Sequence, residues 1–262
     1  MTSSGRPNER AVRFLGLDLA WLPKNPSGLA VLGADGCLLD LRCDLTGDDA
    51  VLAWIRQWRG PSGAIGIDMP TIVPNLTGSR PCERELHAVY GRRHAGPYPA
   101  NRGLAPFAGG GRAATLVDAL TADGVVHTCR VAPNDPRTVA FEVFPHPSAV
   151  ALFALSRVLG YKKKARSWPD VWAAWAEYRR LLGQLADADP PLRLPASVPA
   201  SVADLPKRDY KRWDDALDAI LCAYVASWVW HHGTRAPHVR VFGDMVEGHI
   251  VVPDRAALIP GA

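Results

Sequence analysis

Two short runs constrain this chain more than any other feature: Gly16-Leu17-Asp18 and Gly66-Ile67-Asp68. Each puts one carboxylate into an otherwise apolar, strand-like segment, residues 12–20 in one case and 64–69 in the other. An ionised Asp is costly to bury unless it is paired, hydrogen-bonded or bound to a cation. The same pattern at two strand ends therefore predicts a sheet that brings two carboxylates together, with a metal ion as the natural neutralising partner. A third acidic cluster, Asp214-Asp215-Ala216-Leu217-Asp218, opens a long apolar helix near the C-terminus.

The order of elements says how the two strands meet. Leu29–Leu32 and Cys37–Leu41 flank Ala34-Asp35-Gly36, whose Asp-Gly is a hairpin signal. With residues 12–20 they predict a three-stranded antiparallel meander. Residues 48–59 read as a helix, with Val51, Trp54, Ile55 and Trp58 on one face. A strand, a helical crossover and a second strand favour parallel pairing. That sets Asp18 beside Asp68 at the carboxyl ends of neighbouring strands, where open α/β sheets place their sites. Residues 138–144 supply a further strand, with Val139, Phe141 and Val143 on one face and Glu142 on the other. Helices are expected over 82–90, 113–122, 147–159, 168–185 and 213–230, and a closing hairpin at 239–242 and 249–252. The expected architecture is α/β: a mixed five-stranded sheet of order 3-2-1-4-5 with helices on both faces. A polar tail (1–11) precedes one domain (12–262).

Composition narrows the class. At 262 residues and 48% hydrophobic, the chain can bury a full core. Its longest apolar run, 219–230, falls short of the roughly 18 residues that a membrane span needs, and the first ten residues lack the apolar stretch of a signal peptide. Five cysteines without a Cys-x-x-Cys pair read as reduced thiols of a cytoplasmic protein. The net charge of +4 is compatible with a polyanionic partner. Residues 80–112 carry six Arg against two Glu and form a long irregular segment after a short helix. Arg80, Arg84, Arg92, Arg93 and Arg102 are candidates for tracking the phosphates of RNA or DNA, with Tyr90, Tyr98 and Phe107 as stacking surfaces. A solvated loop is the plain alternative. Lys162-Lys163-Lys164 reads as a solvated charge run.

Asp215 and Asp218 share a face of the last helix, and Cys222, Val225 and Val229 continue that face as an apolar stripe. Asp214 and Asp215 also suit the start of a helix for electrostatic reasons alone, whereas Asp218 lies too deep for that. Crowded carboxylates repel unless cations or shared protons neutralise them. A set of Asp18, Asp68, Asp215 and Asp218, with Glu142 as a further ligand, offers hard oxygen donors suited to Mg²⁺ or Mn²⁺. One or two such ions could promote phosphodiester cleavage. His146 is a candidate for proton transfer.

Several ordered motifs carry a family resemblance over roughly residues 12–252. They are the Asp18 strand with its hairpin, Ile67-Asp68-Met69-Pro70, Arg80-x-Cys82-x-x-Glu85, Glu142-Val143-Phe144-Pro145-His146, and Asp214-Asp215-Ala216-Leu217-Asp218-Ala219. Together they resemble the domain of unknown function 429 family, predicted nucleases of the ribonuclease H fold. The spacing Asp215-x-x-Asp218 also looks like the last acidic pair of Holliday-junction resolvases. The resemblance implies metal ligands at Asp18 and at Asp215 or Asp218, and a second strand carboxylate at Asp68. It makes a divalent-metal-dependent nuclease the first expectation. A fold relative that binds nucleic acid or acts as a scaffold without catalysis, and an actin-like phosphotransferase, are the alternatives. The second of these needs two such domains and a nucleotide cleft.

Overall fold

The computed structural model describes residues 12–235 and 237–254; the expected polar tail at 1–11 and the end of the expected domain lie outside them. Strands β1 (Arg13–Asp18), β2 (Ser27–Gly33) and β3 (Leu38–Leu45) form the antiparallel meander. Gly36 makes the β2–β3 turn at φ +78°, a region where a side chain would be strained. Helix α1 (Asp48–Trp58) buries Val51, Trp54 and Ile55, and Trp54 donates its indole N–H to Asp40 at 2.7 Å. It delivers β4 (Gly63–Asp68) parallel to β1, in a register that sets Asp18 opposite Asp68.

Helices α2 (Pro81–Tyr90) and α3 (Arg112–Ala122) then precede β5 (Val126–His127) and β6 (Thr138–Glu142). After them come α4 (Pro145–Leu152), α5 (Trp168–Gly183), α6 (Tyr210–His232), and the hairpin of β7 (Val239–Asp244) and β8 (Gly248–Pro253). The main sheet has six strands in the order β3-β2-β1-β4-β6-β5, all parallel from β1 onward. The sixth strand is the difference from the five expected: β5 pairs through two residues only, too short to show any alternation. Helix α4 covers 145–152 rather than 147–159, and Ala154 just beyond it sits at φ +50°. Helix α6 starts at Tyr210, one turn before the expected Trp213. Among the described residues no helix is long and apolar enough to cross a membrane.

Alternation along the strands divides the core in two. Phe14, Ala30, Ala64 and Phe141 face one way, against Trp175 of α5 and Leu217, Ala223 and Trp228 of α6. Leu15, Leu17, Ile65 and Ile67 face the other way, against α1 and α3. From Ala216 to Val229, α6 is buried all round, as an apolar helix at the centre of a protein must be. It lies directly on β1, β2 and β4 because the strand positions beneath it are glycines. A Cβ on Gly16 would stand 2.1 Å from the Ala219 carbonyl, one on Gly66 2.6 Å from that of Cys222, and one on Gly28 2.5 Å from that of Asp215.

Candidate acidic site

The glycine contacts explain the Gly-apolar-Asp pattern. Residues two apart on a strand share a face, so Asp18 follows Gly16, and Asp68 follows Gly66, onto the side covered by α6. Gly28 is the register partner of Asp18 and lies against the backbone of Asp215, which seats the first turns of α6 beside the paired strand ends. Since α6 begins at Tyr210, Asp214 and Asp215 belong to its second turn, and helix capping does not account for them.

Each acid has its own surroundings. Asp18 and Asp68 are half-buried at the strand ends and line a cavity of about 670 Å³, together with Asp215. One carboxylate oxygen of Asp18, Oδ2, is buried with no hydrogen-bond partner. Burial, reinforced by Asp218, Asp215 and Asp68, holds the Asp18 carboxyl well above the usual carboxylate range against the opposing pull of Lys162. Burial and the Asp218 charge do the same to Asp68. Asp218 lies deeper and does not line the cavity: its Oδ1 accepts from Tyr161 (2.6 Å) and Tyr178 (3.3 Å), and its Oδ2 meets Lys162 Nζ at 2.5 Å. Lys162 also reaches Asp214 Oδ1 at 2.5 Å. Burial alone would lower the Lys162 ammonium, but Asp218, Asp18 and Asp214 hold it above its ordinary value. Asp214, pushed up chiefly by burial, titrates at about 6. Asp215 pairs with Lys211 one turn back on α6.

Lys162 is the residue that the sequence hid. In a run of three lysines nothing sets it apart, yet its neighbours Lys163 and Lys164 stay out of this network. As the side chains stand, no three His, Cys, Asp or Glu among the described residues converge in a metal-holding group, and a lysine ammonium supplies the positive charge beside Asp214 and Asp218.

Glu142 is a correction. It leaves β6 on the side of Ala140, which belongs to the α1/α3 core and not to the α6 face. There Arg80 donates to both of its oxygens at 2.6 and 2.8 Å, and the Thr71 amide donates at 3.0 Å. Both oxygens thus have structural partners, and the side chain also borders the cavity. Arg80 itself is 1% exposed and also pairs with Glu83 at 2.9 Å, so it is an internal strut and not a surface contact for phosphate. Arg84, Arg92, Arg93 and Arg102 are exposed, and none of them lines the cavity. The segment after α2 does wall the cavity, through Pro97, Tyr98, Ala100 and Phe107. Tyr90 is buried against Phe242, ring centroids 6.2 Å apart, and is unavailable for stacking. His146 lines the cavity between Phe144 and Tyr161, and burial pushes it down to about 4, so its imidazole is neutral at pH 7.

Fold and site together define an α/β protein with an acidic cavity at the carboxyl ends of adjacent parallel strands, the usual location of an open-sheet site. The chain belongs to the family described as protein of unknown function, DUF429, whose model matches residues 16–241. No curated protein and no solved structure matches it.

Proposed function

We propose that this protein is a divalent-metal-dependent phosphodiesterase of ribonuclease H-like fold, acting on nucleic acid. The observation that carries this reading is the in-register pair Asp18 and Asp68, raised by burial and joined at one cavity by Asp215, with Asp18 Oδ2 buried and unpartnered. A strand order with β1 central, antiparallel to β2 and parallel to β4, supports the fold assignment.

The donor types present suit a hard cation, although as the side chains stand no three of them among the described residues converge in one metal-holding group. An orphaned carboxylate oxygen beside two further carboxylates is the donor chemistry of Mg²⁺ or Mn²⁺. Asp18, Asp68 and Asp215 would hold it, and Asp218 would join them only if Lys162 left its Oδ2. The ion would supply Lewis acidity toward a phosphodiester oxygen and toward water. The chain's own residues do the rest. Tyr161 and Tyr178 fix Asp218, which with Asp214 anchors the Lys162 ammonium at the cavity wall. The neutral His146 can hold a proton at one ring nitrogen and accept one at the other.

Lys162 also favours a second reading, a nucleic-acid-binding protein of the same fold that needs no ion, because it already neutralises Asp214 and Asp218. One experiment separates the two. Purified protein is incubated with labelled single-stranded, double-stranded and branched substrates, with and without Mg²⁺ or Mn²⁺. Metal-dependent cleavage that Asp18→Asn abolishes is the expected result; binding without cleavage under every condition leaves the second reading.

A further inference from the structure

We propose that the cavity takes single-stranded nucleic acid, gripped by Trp21 and Tyr98 at its mouth; this inference rests on the nucleic-acid reading above. Trp21 lies in the β1–β2 connection and Tyr98 in the irregular segment after α2, so the two come from separate parts of the chain to one cavity. Large aromatic side chains are normally spent on the core, yet Trp21 is 50% and Tyr98 69% exposed. Trp21 is held against Phe107, ring centroids 5.4 Å apart. Tyr98 is steadied by Lys164, whose Nζ donates to the phenol oxygen at 3.2 Å and lies 5.6 Å from the ring centroid. Two supported, solvent-facing rings lining one cavity form a stacking platform, the sequence-tolerant device by which single strands are bound. Three ammonium groups line the same cavity: that of Lys164, that of Lys211 paired with Asp215, and that of Lys162 paired with Asp214 and Asp218.

Size decides between single strand and duplex. A cavity of about 670 Å³ is of small-molecule dimensions, a size for single nucleotides and not for a double helix. Asp18, Asp68 and Asp215 line that cavity. A duplex lying over the mouth keeps its phosphates outside, while an unpaired nucleotide can enter with its base against Trp21 or Tyr98.

The test is fluorescence anisotropy with labelled twelve-nucleotide single strands of DNA and of RNA and the matching duplexes, with Ca²⁺ in place of Mg²⁺. Single strands should bind at least tenfold more tightly than duplexes, and the DNA and RNA arms show which sugar is preferred. Trp21→Ala and Tyr98→Ala should each weaken single-strand binding about fivefold or more, and Tyr98→Phe, which keeps the ring, should recover most of it. Circular dichroism establishes that the variants are folded. Equal affinity for duplex and single strand, no binding of either, or folded alanine variants that bind like wild type would overturn the proposal. Cleavage of the same oligonucleotides with Mg²⁺ or Mn²⁺ is read separately: selective single-strand binding without cleavage upholds this inference and removes the phosphodiesterase reading.

Discussion

Asp18 bears a cost that only a partner can remove. Burial, then the neighbouring Asp218, Asp215 and Asp68, lift its carboxyl above the roughly 3.9 of an unfolded chain. A carboxyl raised in the folded state stabilises the fold below the unfolded value, and that contribution is lost as pH rises through the raised one. In chelator, the Tm of Asp18→Asn minus that of wild type should therefore grow as pH rises from 5 to 8, with the variant equal to or above wild type at the upper end. Adding Mg²⁺ or Mn²⁺ should reverse the order: wild type gains about 2.7 kcal/mol at an ion concentration one hundred times Kd, and Asp18→Asn gains little. Cleavage should fall at least about a hundredfold, in keeping with the loss of a strong electrostatic contributor. A variant that melts several degrees below wild type in chelator, with no metal response in wild type, would make Asp18 a structural carboxylate.

The central elements owe their closeness to three glycines, and this can be tested apart from any chemistry. Gly16→Ala would drive a Cβ into the Ala219 carbonyl and the Ala223 amide at 2.1 and 2.2 Å, both backbone atoms within α6, so the helix must lift. Overpacking of a filled core costs about 1–3 kcal/mol and occasionally more; Gly16→Ala should lie at or above the top of that range in urea unfolding. Gly66→Ala, whose nearest atom is 2.6 Å away, should cost less. Gly16 and Gly66 were visible as part of the repeated pattern, but what they are for was not, because it depends on α6, roughly 150 to 200 residues further along the chain. The meander, crossover and β1–β4 pairing were legible because turn and periodicity signals are local. The ends of α4 and α6 and the two-residue strand β5 were not, since the loop geometry and pairing that set them leave no periodic trace.

Across the whole molecule, the legible part of the site was its acids and the illegible part was their cations. Asp18, Asp68 and Asp215 line one cavity, but Lys162 enters from the α4–α5 connection, and the most arginine-rich segment gives the cavity Pro97, Tyr98 and Phe107 with, as charged groups, only the buried Arg80 and Glu83, which pair with each other. Arg80 makes the point sharply. By sequence it is one of several phosphate contacts; in the fold it ties the segment after β4 to the end of β6, bonding Glu83, Glu142 and the Ile72 carbonyl. The two roles predict different failures. Losing a surface contact would leave the melting temperature alone and make the salt dependence of binding shallower by about one unit. Arg80→Met instead strands two nearly fully buried carboxylates, Glu83 and Glu142, a loss of about 3–5 kcal/mol for a broken buried pair. Glu142 is already raised by burial, with Arg80 pulling the other way. Without the guanidinium it should rise further, so the Arg80→Met deficit should shrink as pH falls and Glu142 takes up a proton. Adding Glu142→Gln should recover part of the loss at neutral pH, because one stranded charge is removed. The exposed Arg84→Ala, Arg92→Ala and Arg102→Ala variants should unfold like wild type in the same urea series. If Arg80→Met does so too, the buried network is not what holds this wall of the cavity in place.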